Sequence, residues 1–526
     1  MKRAPLLLLA ASAWSVGARA EWHKAETPHY VVYSDSDEAS LRQVATRLEK
    51  LDMMQRVVTH TRSGMPTIKP TVYVLSDMAA VQDTLPYSAD GIAGYYSAST
   101  RGPFMVTARS TGGNANFTAD LVTFHELTHY FMYQNFPAAY PTWFSEGIAD
   151  FIGTAKINDT NTVVVGDLSK SRYQTLTYFP WMPLSELVAA RKYSDVDNIY
   201  MLYAEGWLLT HYLTLGGKRE GQLAAYLTGI NQGKSFADSA KAAFGNLNDL
   251  DVEVQAYARR RVLPTRILTF KDTLVPAVAI STVAPARAAL MIYDLRLNSG
   301  VPATKAKDFA GEVRTIAARY PNDPFALRIR AEADRLAGDT ADATSTTQHW
   351  LALAPNDPMA MLLASLAEMD ALEPAKATNA AAWTAARRRI ASAYQIAPNE
   401  PLILKAYYDS YKRQHVTPTE SAQNALFKAL DLIPQDEEAR YELAADFEAR
   451  GLTEDAIAII RVAAYAARDD DPKNEKEKQK QDKMRAKYRL AGEIDHEQPR
   501  EMLKRLEAKV ASISGAGTAG TDRTAS

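Results

Sequence analysis

Hydrophobic and polar positions divide the chain into unlike parts. Near the start, HYVVYS at 29–34 is dense in β-branched and aromatic residues and predicts a strand. Asp35 and Asp37 then open a helical pattern over about 38–60, with apolar positions at Leu41, Val44, Leu48, Leu51 and Val57. TVYVLSD at 71–77 predicts a second strand. The stretch 91–113 is rich in Gly, Ser and Tyr and holds one short strand candidate, PFMVTAR at 103–109. As an open edge it would pair with an extended peptide; the alternative is simply the last strand of the sheet. Helical periodicity follows at about 119–136, 142–155 and 193–215, with one or two further helices in 236–261. Strands early and helices late predict an α+β unit over 21–264, joined through a partly β-like connecting segment, 265–305.

From about 306 to 470 the texture changes to long Ala-rich helices. ARYPNDP, ALAPNDP, QIAPNEP and DLIPQDE punctuate them, with Pro321, Pro355, Pro398 and Pro434 spaced by 34, 43 and 36 residues. A helix pair between turns at a period near 34 resembles the tetratricopeptide family, with an insertion at 371–378 that stretches the second interval. Each such unit buries its apolar face only against a neighbour, which predicts an all-α curved array able to grip a protein partner or to brace another domain. A charge-dense tail, 471–511, is expected to be helical and solvated. The final stretch, 512–526, is expected to lack structure, since SISGAGTAGTDRTAS cannot build a core.

Residues 1–20, MKRAPLLLLAASAWSVGARA, place two basic residues before a short apolar run and an Ala-Arg-Ala site. That order predicts a cleaved export signal and a periplasmic or secreted protein with no stable membrane span. The chain has no cysteine, so disulfides and thiolate metal sites are excluded. Basic and acidic residues are nearly balanced, 60 against 62, which gives no electrostatic case for a nucleic-acid partner.

Chemistry concentrates in FHELTHYF, 124–131. His125 and His129 stand four residues apart, hence one helical turn apart on one side, so both imidazoles can face one ion. Glu126 lies about a hundred degrees round the helix, within reach of a water on that ion. PTWFSEGIADF, 141–151, adds Glu146 on a second helix after a short connection, as a carboxylate for a third ligand position. Asp150 follows on the same side, placed to accept a hydrogen bond from the outward nitrogen of His125 or His129. Read blandly, these are satisfied histidines on a core helix and acids on an amphipathic one; four such groups together favour the metal.

HELTHYF followed by PTWFSEGIADF resembles the thermolysin-like, glutamate-ligand zinc peptidases, especially the peptidase-MA-like domains of exported bacterial proteins that carry tetratricopeptide repeats. The resemblance, over roughly 28–260, implies a zincin-like fold with His125, His129 and Glu146 as Zn2+ ligands, Glu126 as general base and Asp150 behind a ligand. It also implies a late-helix tyrosine that stabilises the oxyanion, for which Tyr203 is the preferred match ahead of Tyr200, with His211 as a substitute. The aminopeptidase branch shares a W-x-x-E-G pattern like 143–147, but its GxMEN-type element is not evident here, which favours cleavage within chains. The expectation is a zinc endopeptidase acting on a peptide or protein substrate. Its rivals are an exported repeat scaffold with a non-catalytic metallopeptidase-like domain and a zinc hydrolase of non-peptide amides.

Overall fold

The computed structural model describes residues 21–62, 64–87, 91–112, 118–158, 161–190, 195–271, 277–373, 379–465 and 497–519. The expected signal, residues 1–20, lies outside them, as do 374–378 of the insertion and the charged tail as far as 496. The strands are β1 (His23–Glu26), β2 (Val31–Ser34), β3 (Thr71–Asp77), β4 (Gly94–Ser99), β5 (Gly102–Ser110), β6 (Lys156–Ile157), β7 (Thr162–Val165), β8 (Arg266–Thr269) and β9 (Ala279–Thr282). One sheet runs in the order β4-β5-β3-β2-β1-β9, and a smaller one joins β6, β7 and β8. Pairing is parallel from β2 through β3 to β5 and antiparallel at both margins.

Parallel strands covered on both faces need apolar residues on both, and Val72, Val74, Met105 and Val106 supply them. One face packs on α1 (Glu38–Val58) and α3 (Ala119–Asn135), through Leu41, Leu48, Leu51, Phe124 and Leu127. The other packs on α2 (Met78–Gln82) and α11 (Pro285–Ser299), through Val81, Met291 and Leu295. The connecting segment thus belongs to the sheet unit, contributing β8, β9 and α11.

PFMVTAR is not the edge expected of it. β5 lies between β3 and β4, and the edge strand on that side is β4. The Gly/Ser/Tyr-rich stretch forms that strand by burying every second residue, Tyr95, Ser97 and Ser99, and Gly102 at φ 106° lets the chain reverse into β5.

Between the strands lie α4 (Thr142–Gly153), α5 (Lys170–Tyr178), α6 (Leu184–Ala189), α7 (Ile199–Leu215), α8 (Gln222–Asn231), α9 (Phe236–Phe244) and α10 (Leu247–Ala258). Helices α4 and α7 cross backbone to backbone. A Cβ on Gly147 would stand 2.3 Å from the Gly206 carbonyl oxygen, and one on Gly206 would stand 2.5 Å from that of Trp143.

The helical part continues as α12 (Ala306–Ala317), α13 (Pro324–Leu336), α14 (Thr340–Leu353), α15 (Pro358–Leu372), α16 (Ala380–Ile396), α17 (Pro401–Arg413), α18 (Glu420–Leu432), α19 (Glu437–Ala449) and α20 (Thr453–Ala464). Its recurring turns have a local cause. Asp323, Asp357 and Asp436 cap the next helix with their carboxylates, and Pro324, Pro358 and Pro401 fill its first turn, where no N–H partner is needed. A final helix, α21 (Glu497–Ala519), packs Met502, Leu503 and Leu506 on α20. It runs past 512 to Ala519, so this part of the expected structureless end is helical; a helix already nucleated and anchored by packing gains one hydrogen bond per added residue, which carries it on despite Gly515 and Gly517.

Candidate metal centre

Helix α3 starts at Thr118, whose hydroxyl accepts from the Leu121 amide, and its apolar residues seat it against the sheet. The rings of His125 and His129 therefore project together, with centroids 4.9 Å apart and Nε2 atoms 3.2 Å apart. The residues 136–141 reverse the chain into α4, all of whose residues are buried. Glu146 on α4 brings Oε2 to 3.2 Å from His125 Nε2 and 3.7 Å from His129 Nε2. Tetrahedral ligands roughly 2.1 Å from one zinc ion stand about 3.4 Å from each other. The separations of these three groups bracket that value, so two imidazoles and a carboxylate fit the ion. Among the described residues they form the one group of three or more such side chains suited to hold a metal.

Asp150 stands behind them. Its Oδ1 lies 3.1 Å from His125 Nδ1, so a proton on that nitrogen leaves Nε2 as the ligand atom. The Arg172 guanidinium grips the same carboxylate, with Nε donating to Oδ2 at 2.6 Å and Nη2 to Oδ1 at 3.2 Å. Ser145 Oγ lies 3.5 Å from His129 Nδ1 and flanks the second ring. Neither Arg172 nor Ser145 was foreseen. Arg172 is remote in sequence on a mostly polar helix; Ser145 had a signal, its place beside Glu146 in the second motif.

The electrostatics follow from burial and pairing. Burial pushes the Glu146 carboxyl up, but the charge of His129 and hydrogen bonds from both imidazoles outweigh it, holding Glu146 well below the usual carboxylate range. Burial disfavours a charged His125, yet Asp150 and Glu146 raise it well above an ordinary histidine. These are signs of a pocket that favours positive charge between the rings and the acid. Glu126 behaves differently: burial raises its carboxyl, and the charges of His125 and His129 and the Tyr96 amide only partly offset that. A carboxyl raised in this way takes up a proton more readily than an ordinary glutamate, as a group that accepts and returns one must.

Tyr203 lies on α7 beneath Arg172, whose Cζ is 4.6 Å from its ring centroid, so it adjoins the Asp150 side of the centre. Tyr200 is 63% exposed and stacks with Phe179, directed away into solvent. His211 is buried, and its two ring nitrogens meet the Tyr257 hydroxyl at 2.8 Å and the Gly166 carbonyl at 2.9 Å. It is a satisfied core residue, unable to substitute for Tyr203.

No protein-family model and no curated protein matches the chain. Solved structures similar to it include a MamA RS-1 ArsTM double mutant, at 19% identity and TM-score 0.25, covering 34% of this chain and 93% of that one. A MamA crystal structure matches at 14% identity and TM-score 0.24, covering 34% and 92%. Yeast Tom70 matches at 12% identity and TM-score 0.23, covering 72% and 75%. Likeness of that degree carries no argument, and the helical-repeat part rests on its own succession of capped helices.

Proposed function

We propose that the chain is an exported zinc-dependent endopeptidase with a zincin-like catalytic unit, whose helical repeats engage protein. The observation that carries this reading is the meeting of His125, His129 and Glu146 within 4.8 Å, from two successive helices, beside a carboxyl that is not one of the three. A bound zinc ion would supply Lewis acidity, enough to acidify water by about nine pKa units. In this scheme His125, His129 and Glu146 hold the ion, and Asp150 keeps the His125 proton on Nδ1. Glu126 accepts the proton of the attacking water on its carboxylate and returns it to the leaving nitrogen of the peptide. Arg172 fixes Asp150, and Tyr203 is assigned to stabilise the developing oxyanion by donating a hydrogen bond from its phenol, which keeps its proton. The edge strand β4 is the natural seat for an extended substrate, because its outer backbone groups face away from the sheet. No helix among the described residues is long and apolar enough to cross a membrane.

A second reading, a protein-binding scaffold with a non-catalytic platform, is favoured by the repeat array, which needs no chemistry to serve it. Glu126→Gln separates the two. The peptidase reading expects zinc affinity within about twofold of wild type and cleavage of unfolded casein reduced by roughly 10²–10⁴-fold. Stoichiometric zinc with no cleavage by the wild type in casein or a peptide library leaves the scaffold.

A further inference from the structure

The helical array does not merely follow the sheet unit; it returns to it. Helix α11, which leads from the sheet unit into the array, covers one sheet face, and the Ser299 hydroxyl at its end lies 2.8 Å from the Tyr95 hydroxyl of β4. Farther along, Arg101 in the β4–β5 turn pairs with buried Glu332 of α13 at 2.5 Å. Ile68 and Ala98 pack against Leu404, Leu432 and Ile433. The loop before α19 then contacts both elements that frame the metal centre. The Thr100 amide, also in the β4–β5 turn, donates to Asp436 Oδ2 at 2.7 Å, while Asp436 Oδ1 caps α19 by accepting from the Ala439 amide at 2.8 Å. Gln435 Nε2 reaches the Tyr130 carbonyl at 3.4 Å and Gln134 Oε1 at 3.2 Å, both on α3 beyond His129.

We propose that this loop is a brace for the metal centre, with Asp436 and Gln435 as positioning residues that hold β4 in register with α3. Apolar packing alone would join the two parts, but it is non-directional and lets surfaces slide. A carboxylate 1% exposed, with one oxygen on each part, is costly to bury and fixes both in one geometry. Thr100 N–H is itself a buried donor that would be orphaned if the loop withdrew. What the brace holds is functional: β4 carries Tyr96, whose amide acts on Glu126, and α3 carries His125, Glu126 and His129. The same contacts fill this stretch of the array with its own chain, so an outside partner must use another face or compete for this one.

The activity readout rests on the peptidase reading; the brace itself does not. Asp436→Asn keeps one carbonyl oxygen for the α19 cap but turns an N–H toward Thr100, and Gln435→Ala removes the α3 contacts. Asp357→Asn, at the same capping position two turns of the array earlier, serves as control. In the full-length zinc-loaded protein, the Asp436→Asn/Gln435→Ala variant is expected to speed hydrogen exchange over 94–102 by about tenfold. It should also lower kcat by about tenfold with KM and zinc affinity near wild type, and Asp357→Asn should do neither. Unchanged exchange over 94–102, or faster exchange with kcat intact, overturns the proposal. Should the paired variant lose its fold, Gln435→Ala alone carries the same two readouts. A wild type without peptidase activity sinks the proposed function, and exchange alone then decides the brace.

Discussion

Two helices of this protein each bury a pair of carboxylates, and they neutralise them differently. On α13, Glu332 meets Arg101 and Arg328, and Asp334 meets Arg314 at 2.7 Å and Arg330 at 3.6 Å. On α4, Asp150 likewise meets Arg172, but Glu146 faces two imidazoles. A guanidinium is charged at every accessible pH, so an acid paired with it is settled for good. An imidazole carries charge only with a proton, so the charge beside Glu146 is exchangeable, for a proton or for a metal ion. Burial of an acid alone therefore says little; the permanence of its partner separates a brace from a binding site.

The sharpest break of this comparison is Glu146→Ala. Its zinc affinity should fall at least about a hundredfold, measured by competition with a chromophoric chelator, and added zinc should no longer raise its melting temperature. Affinity equal to wild type would mean that the ion, if any, is held elsewhere. Glu332→Gln is the counterpart. Leaving Arg101 and Arg328 without their acid should cost about 3 kcal/mol in chemical denaturation while zinc affinity stays put, and a parallel loss of zinc binding would erase the distinction drawn here.

Glu205 sharpens it with a third solution. It is fully buried on α7, accepts from the Met182 amide at 2.8 Å, and burial pushes its carboxyl up to about 8. The folded state thus holds a proton that the unfolded chain releases near pH 4.5. Its contribution to stability is complete below that pH and is lost as pH rises toward 8. Glu205→Gln removes the titration, so between pH 5 and 8 the variant should lose less stability than wild type by roughly 3 kcal/mol. Parallel pH profiles would show that Glu205 does not titrate in that window.

The spacing of His125, His129, Glu146 and Asp150 was readable because helices impose it: neighbours four apart share a face, and a short connection returns one helix to the other. The repeat turns were readable for an equally local reason, an Asp cap, a Pro in the first helical turn, or both. What escaped depended on distance. Arg172 sits on a helix whose polar composition reads as ordinary surface, and its partner is chosen by tertiary approach. β4 was hidden by its glycine and serines, which make its alternate buried positions, Tyr95, Ser97 and Ser99, read as polar. Contacts across 336 residues, such as Thr100 with Asp436, depend on the cumulative curvature of the array, which no short motif encodes.

The crossing of α4 and α7 at Gly147 and Gly206 bears on anyone who would transplant this centre. With no side chain between the two backbones there is no cushion to absorb a shift, and the carboxylate beside Gly147 inherits its position from a helix that contributes nothing to the proposed ligand set. Moving the two short segments that carry His125, His129 and Glu146 into a foreign protein would lose that alignment unless the long third helix, complete with its own bare notch, travelled with them.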